Sequence, residues 1–131
     1  LNTVYIGTFA VGDEKQMADS LVNLWKNIKK SDVYKSWPLG ITQGLLWKTG
    51  MFNSDPLRGF ITKILKNRPQ QRKISMGSAN ARTGEFMRFN ETYPDLVSGA
   101  LASAAIPGFF PYINTNGEQY LDGGTVSSFL F

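Results

Sequence analysis

AAIPGFFPYINTNGEQYLDGG, residues 104–124, is the stretch whose reading decides the fold. An apolar run bounded by Pro107 and Pro111 leads into a short segment of strand character, which ends in one acidic residue and two glycines. Asp-Gly by itself is an ordinary turn signal. The second glycine asks for more. Two residues without side chains let the chain turn at once, with positive φ open to them, and leave room beside the Asp122 carboxylate. EQYLDGG is therefore read as a strand that stops at Asp122.

Working outward from there, YPDLVSGALASAAIP predicts a helix that starts near Pro94 or Asp95 and ends at Pro107. Its small residues Ala100, Ala102, Ala104 and Ala105 allow close packing. RKISMGSANARTGEFMRFNET reads as two strands about a turn at Arg82-Thr83-Gly84. Asp55-Pro56 opens a helix, with Asp as N-cap and Leu57, Phe60, Ile61, Ile64 and Leu65 as the buried stripe. VYKSWPLGITQGLLWKTGMFN reads as irregular, an apolar loop that packs on the body or forms a binding lip. Asp13 and Gln16 form a capping pair for a helix whose Met17, Leu21, Leu24, Trp25 and Ile28 recur at helical spacing. The opening LNTVYIGTF is a strand on propensity, with a buried helix end as the competing reading. Helices interspersed with short strands predict a layered α/β fold.

The totals exclude more than they assign. At 131 residues the chain suits a single domain, residues 1–131. It has no cysteine and no histidine, so a Ser-His-Asp triad, a Cys-His pair and a zinc site built on either residue are unavailable within it. No carboxylate cluster predicts a metal, and Asp13, Asp19, Asp32, Asp55 and Asp95 read as caps or surface charges. The net charge of +4 is too scattered for a nucleic-acid footprint. The clusters Lys26/Lys29/Lys30 and Lys63/Lys66/Arg68/Arg72/Lys73 read as solvated faces, with an anionic membrane surface as the alternative partner. No stretch reaches the ~18 apolar residues of a membrane span. The chain begins at Leu1 and stops within the apolar run SSFLF, which reads as a piece of a longer protein. Any leader would lie upstream, so the compartment is not legible.

ALASAAIPGFFPYI followed by YLDGG resembles the signature of patatin-like phospholipases, in which a small-residue helix ends at a proline and the next strand carries Asp-Gly-Gly. GLLWKTGMFNSDPLRGFI, SANARTGEFMRFN and LNTVYIGTF resemble three further stretches of that family, in its order. The last resembles the helix after the nucleophile elbow, which overrules the strand reading. The resemblance implies a three-layer α/β domain with a mainly parallel sheet, incomplete here at both ends. It implies a serine hydrolase of phospholipids or other lipid acyl esters that works through a Ser-Asp dyad without cofactor or metal. Asp122 then corresponds to the catalytic aspartate, with Gly123 and Gly124 as its glycine pair. The Gly-x-Ser-x-Gly elbow and the glycine-rich oxyanion loop are not in this chain, and the resemblance places both just upstream of Leu1. TVSSFLF also departs from the family's usual continuation after Asp-Gly-Gly.

A serine hydroxyl needs a nearby base to become a nucleophile, and such a base contributes roughly 10²–10⁴-fold in rate. Apolar walls raise the basicity of a carboxylate, and Pro107, Phe109 and Phe110 are the candidates to line such a pocket. Trp37, Trp47, Met51 and Phe52 are candidates for an acyl-chain entrance or a lipid contact, with ordinary packing as the simpler reading. Ser78 in MGSAN lacks the glycine two residues on that an elbow needs. The rival expectation is a non-catalytic lipid-surface or protein-binding module in which Asp122 is only a turn.

Overall fold

A computed structural model describes residues 1–48 and 50–127, apart from the side chains of Leu45, Trp47, Val126 and Ser127. The elements run α1 (Asn2–Ile6), α2 (Glu14–Asn27), α3 (Lys30–Val33), β1 (Lys35–Ser36), α4 (Gly40–Trp47), β2 (Phe52–Asn53) and α5 (Asp55–Leu65). They continue with β3 (Ser75–Asn80), β4 (Phe86–Asn90), α6 (Leu96–Ala102), β5 (Ile113–Thr115), β6 (Glu118–Asp122) and α7 (Gly124–Ser127).

The main sheet has four strands in the order β4-β3-β6-β5. Every pairing in it is antiparallel. The α/β class holds, but the mainly parallel sheet is corrected for the described residues. Its cause is local: β3 and β4 form a hairpin, and so do β5 and β6, whose turn places Asn116 and Gly117 at positive φ. Two such hairpins joined through β3 and β6 give an antiparallel sheet, with α6 carrying the chain across it from edge strand β4 to the opposite edge strand β5. A parallel contact survives outside the named strands, between Gly50 and Gly108.

One core lies between this sheet and three helices. Val4 of α1, Leu57 and Ile61 of α5, and Ala100, Leu101 and Ala102 of α6 pack with Met76, Phe89, Ile113 and Tyr120 from the four strands. Phe89 meets Tyr93 and Tyr120 at ring separations of 4.5 and 5.3 Å. The predicted closeness of α6 is seen at Gly99, where an added Cβ would lie 3.2 Å from the Phe89 side chain. A hydrogen bond of 3.0 Å from Arg58 Nη1 to the buried Ser98 hydroxyl ties α5 to α6.

Several boundaries differ from expectation. The opening segment is helical from Asn2, as the family resemblance implied and β-propensity did not. Helix α5 starts one residue early, with Ser54 as N-cap and Asp55-Pro56 inside its first turn. Helix α6 is capped by Asp95, whose Oδ1 accepts from Ser98 N–H, but it ends at Ala102, well before Pro107. The 3₁₀-like bonds Ala104 N–H to Leu101 O and Ala105 N–H to Ala102 O unwind it first. Asp13 caps α2 only by position, since its side chain makes no cap bond. None of the α2 stripe is fully buried, because the helix packs chiefly on the short α1, and Trp25 instead donates to Asn2 Oδ1 at 2.8 Å. The segment read as irregular contains α4 and the small β1-β2 ladder.

Candidate active site

Asp122 is the last residue of β6, directly before the glycine pair, as expected. The strand pairs position for position with β3: Asn80 with Tyr120, Ala79 with Leu121, Ser78 with Asp122. Paired residues of an antiparallel ladder share a face. Asp122 therefore sits on the same side as Tyr120 and Met76, the side that carries the core, and is half-buried.

Three main-chain contacts fix it. Asp122 N–H donates to Ala105 O at 2.9 Å, which ties the strand end to the segment after α6. Gly124 N–H donates to Asp122 Oδ1 at 2.8 Å. The Thr125 hydroxyl donates to Asp122 O at 2.6 Å. The carboxylate is thus held by the backbone that follows it, in an Asx-type turn leading into α7.

The glycines serve the expected reason only in part. Neither Gly123 nor Gly124 takes a positive φ. A Cβ on Gly123 would lie 2.7 Å from Gly77 C and Ser78 N, so the buried Gly123 packs directly on the β3 main chain. A Cβ on Gly124 would come within 3.3 Å of Asp122 Oδ1, against the oxygen its own N–H holds. Close approach is the requirement at the first glycine and clearance of the carboxylate at the second.

Ser78 stands directly across the ladder from Asp122, a serine beside an aspartate. It has no exposed surface, and its hydroxyl donates to Leu121 O at 2.7 Å. A fully covered hydroxyl committed to a main-chain carbonyl has neither access to an ester nor a base to which it gives its proton.

The aromatic residues divide. Phe110 is partly buried against the core and meets Tyr34 at 6.3 Å, whereas Phe109 is 50% exposed. Pro107 is half-buried. The lip segment joins them: Met51 N–H donates to Gly108 O and Phe52 N–H to Phe109 O, each at 2.9 Å. Phe52 stacks on Tyr34 at 4.6 Å, and Trp37 Nε1 donates to Gly50 O at 3.0 Å. Trp47's side chain lies outside the described residues. No group of acidic or other ligating side chains is arranged to hold a metal ion among the described residues.

Sequence reasoning missed one polar cluster. Gln70, Gln71 and Arg72 reach into the carbonyls at and after the end of α1: Gln70 Nε2 to Val4 O at 3.0 Å, Gln71 Nε2 to Thr8 O at 2.6 Å, and Arg72 to Phe9 O and Ala10 O at 2.8 and 2.7 Å. Arg72 also pairs with Glu14 at 2.8 Å, which holds the Glu14 carboxyl down at about 2. Arg72 was grouped with solvated charges, but its side chain is only 20% exposed. A glutamine pair next to an arginine, RPQQRK, was the available signal.

With the geometry in place, comparison identifies the class. The chain belongs to the patatin-like phospholipase family, whose sequence pattern matches residues 6–131, from the last residue of α1 through the Asp-Gly-Gly turn and beyond. The family is one of hydrolases with lipid substrates. No curated protein and no solved structure gives a match.

Proposed function

We propose that this chain is the part of a lipid acyl hydrolase that supplies the base of a Ser-Asp dyad. Asp122 takes the proton of a serine that attacks the ester carbonyl and returns it to the departing alcohol; the same carboxylate then deprotonates the water that cleaves the acyl-enzyme and gives that proton back to the serine. The serine and the backbone amides of an oxyanion hole belong to a Gly-x-Ser-x-Gly elbow and a glycine-rich loop upstream of Leu1. The substrate is a phospholipid or another lipid acyl ester, and the 131-residue chain alone is inactive. The observation that carries the reading is Asp122 at a strand end, its position over-determined by Ala105, Gly124 and Thr125, with Gly123 pressed on β3. Such fixation is what a base needs to stay within reach of one proton.

The test is ester turnover by the chain extended upstream to include the elbow, with the 131-residue chain as control. Turnover by the extended chain falls at least ~10²-fold in Asp122→Asn, whose fold is unchanged by circular dichroism. Turnover by the short chain, or an Asp122→Asn variant as active as the parent, sinks the assignment. One observation favours the non-catalytic reading: Asp122 Oδ1 already serves as the acceptor of the α7 turn. If no serine elbow precedes Leu1, Asp122 is that turn residue on a binding scaffold.

A further inference from the structure

We infer that helix α4 and the segment it packs on form the docking face for an anionic lipid bilayer, an inference that deepens the lipid-substrate reading and rests on it. Leu39 and Leu46 are 66% and 72% exposed, and Ile41 between them is 48% exposed. A short helix with this much uncovered aliphatic surface has no cover for it among the described residues. Gly44, on the inner side, lies so close to Gly50 and Met51 that a Cβ would collide with their main chain. Gly50–Phe52 in turn pairs with Gly108 and Phe109, and Phe109 adds a half-exposed ring. The apolar face is thus continuous with the segment whose Ala105 carbonyl holds Asp122 N–H.

Charge selects the occupant. Residues 33–54 and 96–117 contain no Asp or Glu, and their only charged side chains are Lys35 and Lys48. Lys35 is exposed, and Lys48 lies 5.4 Å from the centre of the Trp37 ring, an ammonium over an amphipathic aromatic. Exposed aliphatics beside lysines, with acidic groups absent, suit the boundary between acyl chains and anionic head groups. Two other exposed apolar side chains, Val11 and Val22, stand among Asp13, Glu14 and Asp19 and lack this complementarity.

The experiment is co-sedimentation of the full chain with vesicles of phosphatidylcholine, alone and mixed with phosphatidylserine. The chain binds the mixed vesicles more tightly, and added salt weakens the difference. Leu39→Ser and Leu46→Ser each lower partitioning roughly tenfold. Lys35→Gln and Lys48→Gln each lower it about fivefold on the mixed vesicles. The double variant Val11→Ser/Val22→Ser binds like the parent. Circular dichroism and thermal melting check the fold, and the lysine variants keep the test open should a leucine variant misfold. Absence of binding, equal binding to both vesicles, or leucine variants that bind as tightly as the parent overturns the inference. So does a chain that dimerises through this face, seen as a mass halved by Leu46→Ser. Catalysis is judged separately: Asp122→Asn retains vesicle binding, and hydrolysis of a short-chain monomeric ester by the extended chain is indifferent to Leu46→Ser.

Discussion

The surroundings of α1 and the lip around β2 are both long-range attachments, yet different groups hold them. At α1, donors from Gln70, Gln71 and Arg72 enter main-chain carbonyls one by one. At the lip, main chain bonds to main chain, Met51 and Phe52 N–H to Gly108 and Phe109 O, with Gly50 tight against Phe110 and Pro111 and Tyr34 meeting Phe52 and Phe110 at tilted and edge-on angles. Side-chain donors that reach a row of acceptors can be removed one at a time, whereas main-chain bonds with close backbone contact fail together when one residue gains a Cβ. The first region has the character of a mount for the segment that precedes the core. The second has the character of a backbone splice with no room for a side chain at Gly50.

The comparison breaks most visibly at Gly50. An Ala there overlaps the Phe110 main chain, and overpacking of this kind costs about 3 kcal/mol. The expected signature is local: changed tryptophan fluorescence from Trp37 and fast amide exchange at Met51 and Phe52, with the sheet amides still protected. Uniform loss of protection would show that the lip is part of the core after all. Arg72→Ala tests the other side. Removing charge-assisted bonds to Phe9 and Ala10 costs about 2 kcal/mol, read as a lowered urea midpoint with the lip's fluorescence unchanged. An unchanged midpoint would reduce the mount to decoration.

The smallest effect is acid dependence. Bonding to Arg72, then to main-chain N–H groups, depresses the Glu14 carboxyl from 4.5 to about 2 in the folded chain. A group whose folded pKa is depressed contributes stability above its unfolded value, and that contribution is lost as pH falls through the folded one. The stability gap between the parent and Glu14→Gln is therefore constant above about pH 5 and closes between pH 4.5 and 2. A gap independent of pH across that window would mean the Arg72 pairing does nothing for folding, as exposed ion pairs often do.

What the sequence made legible was local. Turn residues announced the β3–β4 hairpin, the Asp-Gly-Gly turn marked the end of β6, and Asp95 marked the start of α6. Strand partners were not legible, because pairing is decided by residues far apart in the chain; the antiparallel β3–β6 ladder joins Ser78 to Asp122. Strand β5 was too short to show a period, and Asn116-Gly117 was the cue passed over. Gly123 was singled out for the right position and the wrong cause, since close approach of a second backbone leaves no trace in the local sequence. Arg72 was misjudged for the same reason: its acceptors come from a segment some sixty residues earlier.

The hydrogen bond from Asp122 N–H to Ala105 O has a mechanical consequence. Between Ala105 and the lip stand only Ile106 and Pro107 before Gly108, whose φ of +84° sets the bend. The carboxylate is thus anchored to the short arm of a lever whose long arm is the lip. A load applied at the lip enters that segment through the Met51 and Phe52 amides, crosses the bend, and reaches Asp122 through its amide bond to Ala105, without crossing any side-chain packing.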